Sequence, residues 1–229
     1  MSAIATNLQA VRERIAKAAR AAGRDPAEIA LLAVSKTKPL ADILCAADAG
    51  QTAFGENYAQ EGVDKIAVAV NRTLDWHFIG PLQSNKTRLV AEHYSWVHSI
   101  ERLKIAERLS SQRPFRLPVL QVCVQVNVSG EASKSGCAPT EALALCQAIS
   151  RLPNLRLRGL MAIPEAVDDP VAQRLPFRQL REISDSIRAA GVPLDTLSMG
   201  MSHDLEAAIA EGATIVRIGT AIFGERNTP

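Results

Sequence analysis

Ile29-Ala-Leu-Leu-Ala-Val-Ser-Lys36-Thr-Lys-Pro39 is the stretch from which the chain is best read. An unbroken apolar run climbs to a lysine, and Pro39 then breaks the chain. A continuous apolar run with β-branched content predicts a strand covered on both faces, as in a parallel sheet. Lys36 stands where that strand ends. Burial disfavours an ammonium, so a lysine at the mouth of a dry site loses its proton more readily than one in water. A neutral amine there can condense with an aldehyde. The same residues also describe a solvated strand end carrying Lys36 and Lys38. The rest of the chain has to decide between the two.

Working outward, the chain alternates. Upstream, Ile4, Leu8, Val11, Ile15 and Ala18 recur at helical spacing with charged residues between them. They predict an amphipathic helix that ends near Gly23 and covers or flanks the fold. Downstream, strands are predicted over 51–55, 74–79, 96–99, 118–128, 155–160, 194–197 and 214–218. Helices are predicted over 39–50, 57–70, 86–92, 101–110, 140–150, 172–190 and 202–211, with a short last one through Phe223. Thr140 is the expected N-cap of its helix. Strands that alternate strictly with helices run parallel, joined by crossovers. Eight such units predict an α/β fold, a compact (β/α)8 TIM-type barrel with an extra N-terminal helix, forming a single domain over residues 1–229. A doubly wound open sheet is the alternative.

Composition removes several classes of function. A formal charge of +2 and an aromatic content of 4% argue against a nucleic-acid surface. Hydrophobic content of 47% and charged content of 22% are those of an ordinary globular chain. Cys45, Cys123, Cys137 and Cys146 form no CxxC pair and no zinc spacing. They suit a reduced, cytoplasmic protein. Arg12, Glu13, Arg14 and Lys17 interrupt the N-terminal helix, so it does not read as a signal segment. No segment is apolar for long enough to predict a membrane span.

In a barrel of this kind, chemistry collects after the strands' C-terminal ends. Lys36 follows the first strand, Gly55-Glu56-Asn57-Tyr58 the second, and residues 79–86 the third. Ser99 follows the fourth, Asn127 to Gly130 the fifth (leading into 131–136), and Met161 the sixth. Ser198-Met199-Gly200-Met201-Ser202 follows the seventh, and Arg217-Ile-Gly219-Thr220 ends the eighth. The last two stretches suit a phosphate. Ser202 is expected to open a helix, Gly200 to permit close backbone approach, and Gly219-Thr220 to open the final helix with a second set of N–H groups. Ordinary N-caps in polar loops are the other reading. Arg217 lies inside Thr-Ile-Val-Arg-Ile-Gly and needs an acceptor. Either a carboxylate pairs with it, or it is a fixed cation facing a ligand's ring nitrogen or phosphate. His77, between Trp76 and Phe78, reads as a core histidine. His93 and His98 flank the fourth strand, and His203 is expected to be exposed on the first turn of a helix. No nucleophile–His–Asp set and no carboxylate pair is legible.

Six ordered motifs then carry a resemblance. Leu-Leu-Ala-Val-Ser-Lys at 31–36, Phe-Gly-Glu-Asn at 54–57 and His-Phe-Ile-Gly-Pro-Leu-Gln-Ser-Asn-Lys at 77–86 are the first three. Gly-Glu-Ala-Ser-Lys-Ser-Gly at 130–136, Ser-Met-Gly-Met-Ser-x-Asp at 198–204 and Arg-Ile-Gly-Thr-Ala-Ile-Phe-Gly at 217–224 complete them. From about Leu31 to Gly224 the chain resembles the pyridoxal phosphate homeostasis protein family, itself similar to the barrel domain of alanine racemase standing alone. The resemblance implies pyridoxal 5′-phosphate (PLP) as cofactor, held as a Schiff base on Lys36. It implies Ser202, Gly219 and Thr220 around the phosphate, with Ser198, Met199, Gly200 and Met201 forming the loop. Arg217 would face the pyridine nitrogen, with Asn57 and Met161 near the ring.

A cation opposite the ring nitrogen disfavours its protonation and so weakens carbanion stabilisation. Racemisation needs a base on each face. The racemases draw the second, a tyrosine, from a further domain with no counterpart in this sequence, and only Tyr58 and Tyr94 are present. The expectation is therefore a monomeric carrier of PLP without robust turnover. Its partners would be PLP and PLP-dependent apo-enzymes as recipients, with no nucleic acid and no membrane. A PLP-dependent amino-acid racemase is the alternative. A Schiff-base aldolase acting on a sugar phosphate is a third reading, for which no acid/base partner is assignable.

Overall fold

The computed structural model describes residues 2–130 and 135–225. Its strands are β1 (Ala30–Val34), β2 (Ala53–Glu56), β3 (Asp75–Phe78), β4 (Trp96–Ile100), β5 (Leu120–Gln125), β6 (Leu155–Met161), β7 (Thr196–Ser198) and β8 (Ile215–Ile218). They run parallel and close in sequence order. Closure is made by β1 against β8, with Ala30 opposite Ile215 and Ala33 opposite Ile218. That pairing rules out the open sheet and bears out the barrel.

The helices are α1 (Ala3–Ala21), α2 (Leu40–Asp48), α3 (Ala59–Val68), α4 (Thr87–His93), α5 (Leu103–Gln112), α6 (Ala142–Ile149), α7 (Pro170–Ala189), α8 (Leu205–Ala210) and α9 (Thr220–Phe223). Helices that follow the strands lay apolar residues on the barrel, and α1 packs mainly on α8, α9 and α2. In α7 the buried positions are Phe177, Leu180, Ser184 and Ile187, spaced to fall on one face. Asp169 caps that helix by accepting from the N–H groups of Val171 and Ala172, and Pro170 occupies the first position, where its missing N–H costs nothing.

The added helix α1 buries Leu8, Val11, Ile15 and Ala19. Full burial of an aliphatic side chain such as Leu8 contributes roughly 1.5–3 kcal/mol. Polar side chains then tie the helix and the turn after it to the barrel's C-terminal half. Asn7 Nδ2 donates to Ile222 O, Arg14 Nη1 to Ser202 O, and Arg24 Nη1 to Ile209 O and Ala213 O. The helix therefore braces the turns after β7 and β8, which is a closer role than cover.

Some expected boundaries move. Thr140 caps nothing. It lies within a 3-10 turn over Pro139–Glu141, where Glu141 Oε2 takes the Ala138 N–H in its place. The long run over 118–128 yields a shorter β5, and Val126 makes an isolated bridge to Cys137. Ser202 does not open a helix. α8 begins at Leu205, with Asp204 in the cap position.

Candidate functional site

A cavity of 260 Å3 opens at the C-terminal end of the barrel, lined by residues that include Lys36, Asn57, Met201, Ser202, Arg217, Gly219 and Thr220. Seven of the eleven residues singled out from the sequence thus share one cavity. Val34, Ile79, Ile163 and His203 complete its wall. A larger open groove of 790 Å3 between α1 and α2 gathers little chemistry. Its arginine, Arg12, is already bonded to Ala49 O and Gly50 O.

Lys36 stands two residues beyond β1 and is half-buried. The next residue, Thr37, has φ of 62°, in the left-handed region that a β-branched side chain disfavours. Glu61 Oε1 holds that backbone by accepting the Thr37 N–H at 2.6 Å. Glu61 is in turn held by Lys65, which also bonds the buried Glu56. A buried ion-pair network on α3 and β2 therefore shapes the turn that displays Lys36.

The turn after β7 is closed by Asp204. Its Oδ1 accepts the Met201 N–H at 2.6 Å, and its own N–H returns to Met201 O. Burial raises the Asp204 carboxyl above the usual range, while that backbone N–H pulls the other way. Inside this loop the N–H groups of Ser202 and His203 meet no backbone carbonyl among the described residues. Ser202 thus offers N–H and hydroxyl from a turn, not from a helix start. Gly219 and Thr220 open α9, whose first N–H groups have no acceptor within the helix. Gly200, at φ of 95°, is needed elsewhere: a Cβ there would lie 2.6 Å from Ala208 Cβ, so the glycine lets the loop lie on α8.

Arg217 is 4% exposed. Nη1 donates to Ser198 O at 2.6 Å and to Ser198 Oγ at 2.9 Å, and Nη2 donates to Ala162 O at 2.9 Å. These use three of the five N–H donors of a guanidinium. Among the described residues, Nε–H and one Nη2 hydrogen meet no acceptor, on a residue that lines the cavity. No carboxylate pairs with Arg217 among the described residues, so the ion-pair alternative is not what the fold contains. Burial lowers its pKa to about 10, which still leaves it charged at neutral pH.

Met161, Ser198, Met199 and Gly200 do not reach the cavity. Met161 is fully buried at the end of β6, in register with Ser198, and Ile163 takes the wall position two residues on. Met199 is core. His203 is exposed as expected, yet it precedes the helix and borders the cavity. His98 is fully buried and contacts Ser198 across the barrel. Strand alternation in Trp96-Val-His-Ser was the signal that could have turned Trp96 and His98 to one face. Residues 131–134 of the motif at 130–136 lie outside the described residues.

The arrangement suits a planar ring bearing a phosphate. It pairs an amine at one strand end with two loops offering N–H and hydroxyl groups, and with a guanidinium edge whose remaining donors meet no acceptor among the described residues. Asn57 Oδ1 is buried without a partner among the described residues, as expected of a site built around a further polar group. Tyr58 is largely exposed, and Tyr94 is buried with its hydroxyl on Ala59 O. Neither lines the cavity. Among the described residues no cluster suits a metal, and no helix is long and apolar enough to cross a membrane.

Comparison with known proteins places these features in a family. Residues 6–227 match the model of the alanine racemase N-terminal domain. The chain is 62% identical over 227 residues to the pyridoxal phosphate homeostasis protein of Pseudomonas aeruginosa, covering 99% of this chain and 97% of that one. To the protein of the same name from Escherichia coli it is 56% identical over 231 residues, covering 99% and 98%. The solved structure of PipY from Synechococcus elongatus with PLP bound is 36% identical, with a TM-score of 0.84, covering 96% of this chain and 100% of that one. Alanine racemase from Corynebacterium glutamicum shares the fold at a TM-score of 0.72 and 17% identity, and the match covers 97% of this chain but 61% of the racemase.

Proposed function

The chain belongs to the alanine racemase N-terminal domain family and, within it, to the pyridoxal phosphate homeostasis proteins, and from that membership we propose that it binds PLP and serves the homeostasis and delivery of this cofactor inside the cell. The observation that carries the reading is the convergence of Lys36, Arg217, Ser202, Gly219 and Thr220 on one cavity. In this reading Lys36 Nζ joins the aldehyde carbon of PLP with loss of water. Ser202, Gly219 and Thr220 hold the phosphate through N–H and hydroxyl donors. Arg217 turns its unused donors toward the pyridine nitrogen, and Asn57 and Met201 border the ring. Ser198, Met199, Gly200 and Met161 support these groups from behind.

Bound PLP supplies an electrophilic aldehyde and, when its ring nitrogen is protonated, an electron sink. The Arg217 guanidinium opposes that protonation. No tyrosine lines the cavity among the described residues to act as a second base. Both points support a carrier in preference to a racemase, as does the naming of the curated relatives for homeostasis and not for a reaction. We further propose that the protein is monomeric and cytoplasmic and passes PLP to apo-enzymes. The decisive experiment is spectroscopic. Protein mixed with PLP should show an absorbance band near ~420 nm that Lys36→Ala abolishes, and purified protein with no such band overturns the reading. Amino-acid racemisation well above a heat-killed control would overturn the carrier assignment while leaving PLP binding intact.

A further inference from the structure

Barrel interiors are commonly filled by layers of branched apolar side chains. Beneath this cavity a polar chain runs beside the apolar cluster of Leu32, Ile79 and Ile215. Arg217 Nη1 bonds Ser198 Oγ at 2.9 Å, Ser198 Oγ bonds His98 Nδ1 at 2.8 Å, and His98 Nε2 bonds His77 Nδ1 at 2.9 Å. All four residues are buried. His98 sits on β4 and Ser198 on β7, strands that do not neighbour each other, so their contact runs through the interior.

The direction of these bonds follows from proton counting. Ser198 Oγ accepts from the guanidinium, and its own hydrogen has His98 Nδ1 as acceptor. The reverse arrangement leaves a buried hydroxyl hydrogen unpaired, which is unfavourable. His98 therefore accepts at Nδ1, carries its hydrogen on Nε2 and donates to His77. Protonating His98 would turn the Ser198 bond round. Burial, His77 and then Arg217 all oppose that charge.

We propose that His98, acting through the Ser198 hydroxyl, is a positioning residue for Arg217, fixing the guanidinium so that its unused Nε and Nη2 donors face the cavity. The proposal rests on the reading that a pyridine nitrogen lies opposite that edge.

The test uses the full chain loaded with PLP carrying 15N in the ring, and reads cofactor stoichiometry, affinity and the ring 15N resonance. His98→Asn offers an amide oxygen where Nδ1 was and should keep the wild-type resonance. His98→Leu and Ser198→Ala should still bind PLP, about three- to tenfold more weakly. Their resonance should move toward that of a ring nitrogen without a hydrogen bond. Wild-type resonances in both variants overturn the proposal, since a merely structural loss lowers stability without moving the ring nitrogen. Should His98→Leu fail to fold, Ser198→Ala decides alone, because it leaves the imidazole in place. Wild-type protein that takes up no PLP defeats the reading beneath the proposal, and the proposal with it.

Discussion

His77 Nδ1 and His98 Nε2 lie 2.9 Å apart in the barrel interior, and the fold holds both imidazoles uncharged. Burial takes His77 down to about 3 and His98 well below its ordinary range. An unfolded histidine titrates near 6.5. Below that pH the unfolded chain takes up protons that the native state refuses, so native stability falls as pH drops toward the folded values. The limiting slope is about 1.4 kcal/mol per pH unit for each histidine. Urea midpoints measured between pH 7 and pH 5 should fall with acidification, and His77→Gln should flatten the fall. Identical slopes in the two proteins would contradict the assignment.

Gly80 touches the cavity indirectly. A Cβ there would lie 2.1 Å from the carbonyl oxygen of Asn57 and 2.7 Å from its Cα. Backbone cannot yield as a flexible side chain does. Gly80→Ala should therefore displace Asn57 and destabilise the protein by roughly 1–3 kcal/mol, with lower PLP occupancy. A thermal melt beside the ~420 nm absorbance checks both. Full occupancy at wild-type stability would show that the loop has room.

These cases mark what the sequence could disclose. The barrel was legible because alternation of strand and helix is a local pattern repeated along the chain, and the strand ends then gave Lys36, Asn57, Ser202, Arg217, Gly219 and Thr220. The start of α8 was not, because Ser202 and Asp204 are both good caps and the choice is made by tertiary bonds from Asp204 to Met201 and from Arg14 to Ser202 O. The partnership of His98 with Ser198 joins residues 100 positions apart, and no local pattern encodes it. Thr37 reads as an ordinary residue, and its left-handed backbone depends on Glu61 from α3.

That dependence leads to Lys65. Its Nζ donates to Glu56 Oε1 at 2.7 Å, Glu61 Oε1 at 2.6 Å and Ser35 O at 2.8 Å, and Glu56 is fully buried. Lys65→Met strands a buried carboxylate, a loss of about 3–5 kcal/mol. Glu56→Gln combined with Lys65→Met should recover most of it. Burial raises the Glu56 carboxyl even with Lys65 and Ser35 bonded to it. A carboxyl raised on folding favours the native state at low pH and loses that contribution as pH rises through its folded value. The Lys65→Met deficit should therefore shrink on acidification, and equal deficits at acid and neutral pH would refute the account.

Arg14 separates binding from stability. Its Nη1 holds Ser202 O at 2.8 Å, and its Nε and Nη2 grip the two oxygens of Glu206. The pair is substantially exposed, at 38% for Arg14 and 51% for Glu206, so solvent screens it and its removal should cost under ~1 kcal/mol of stability. The pinned carbonyl, however, belongs to the loop proposed to hold the phosphate, whose Ser202 and His203 line the cavity. Freeing it lets the Ser202 peptide rotate, which spoils a phosphate grip that depends on where the loop's N–H groups point. Arg14→Ala should weaken PLP binding several-fold with little change in melting temperature. Arg14→Lys should fail to restore it, since an ammonium keeps the charge but not the planar fork. Unchanged affinity together with a lowered melting temperature would reduce α1 to a cover over the barrel.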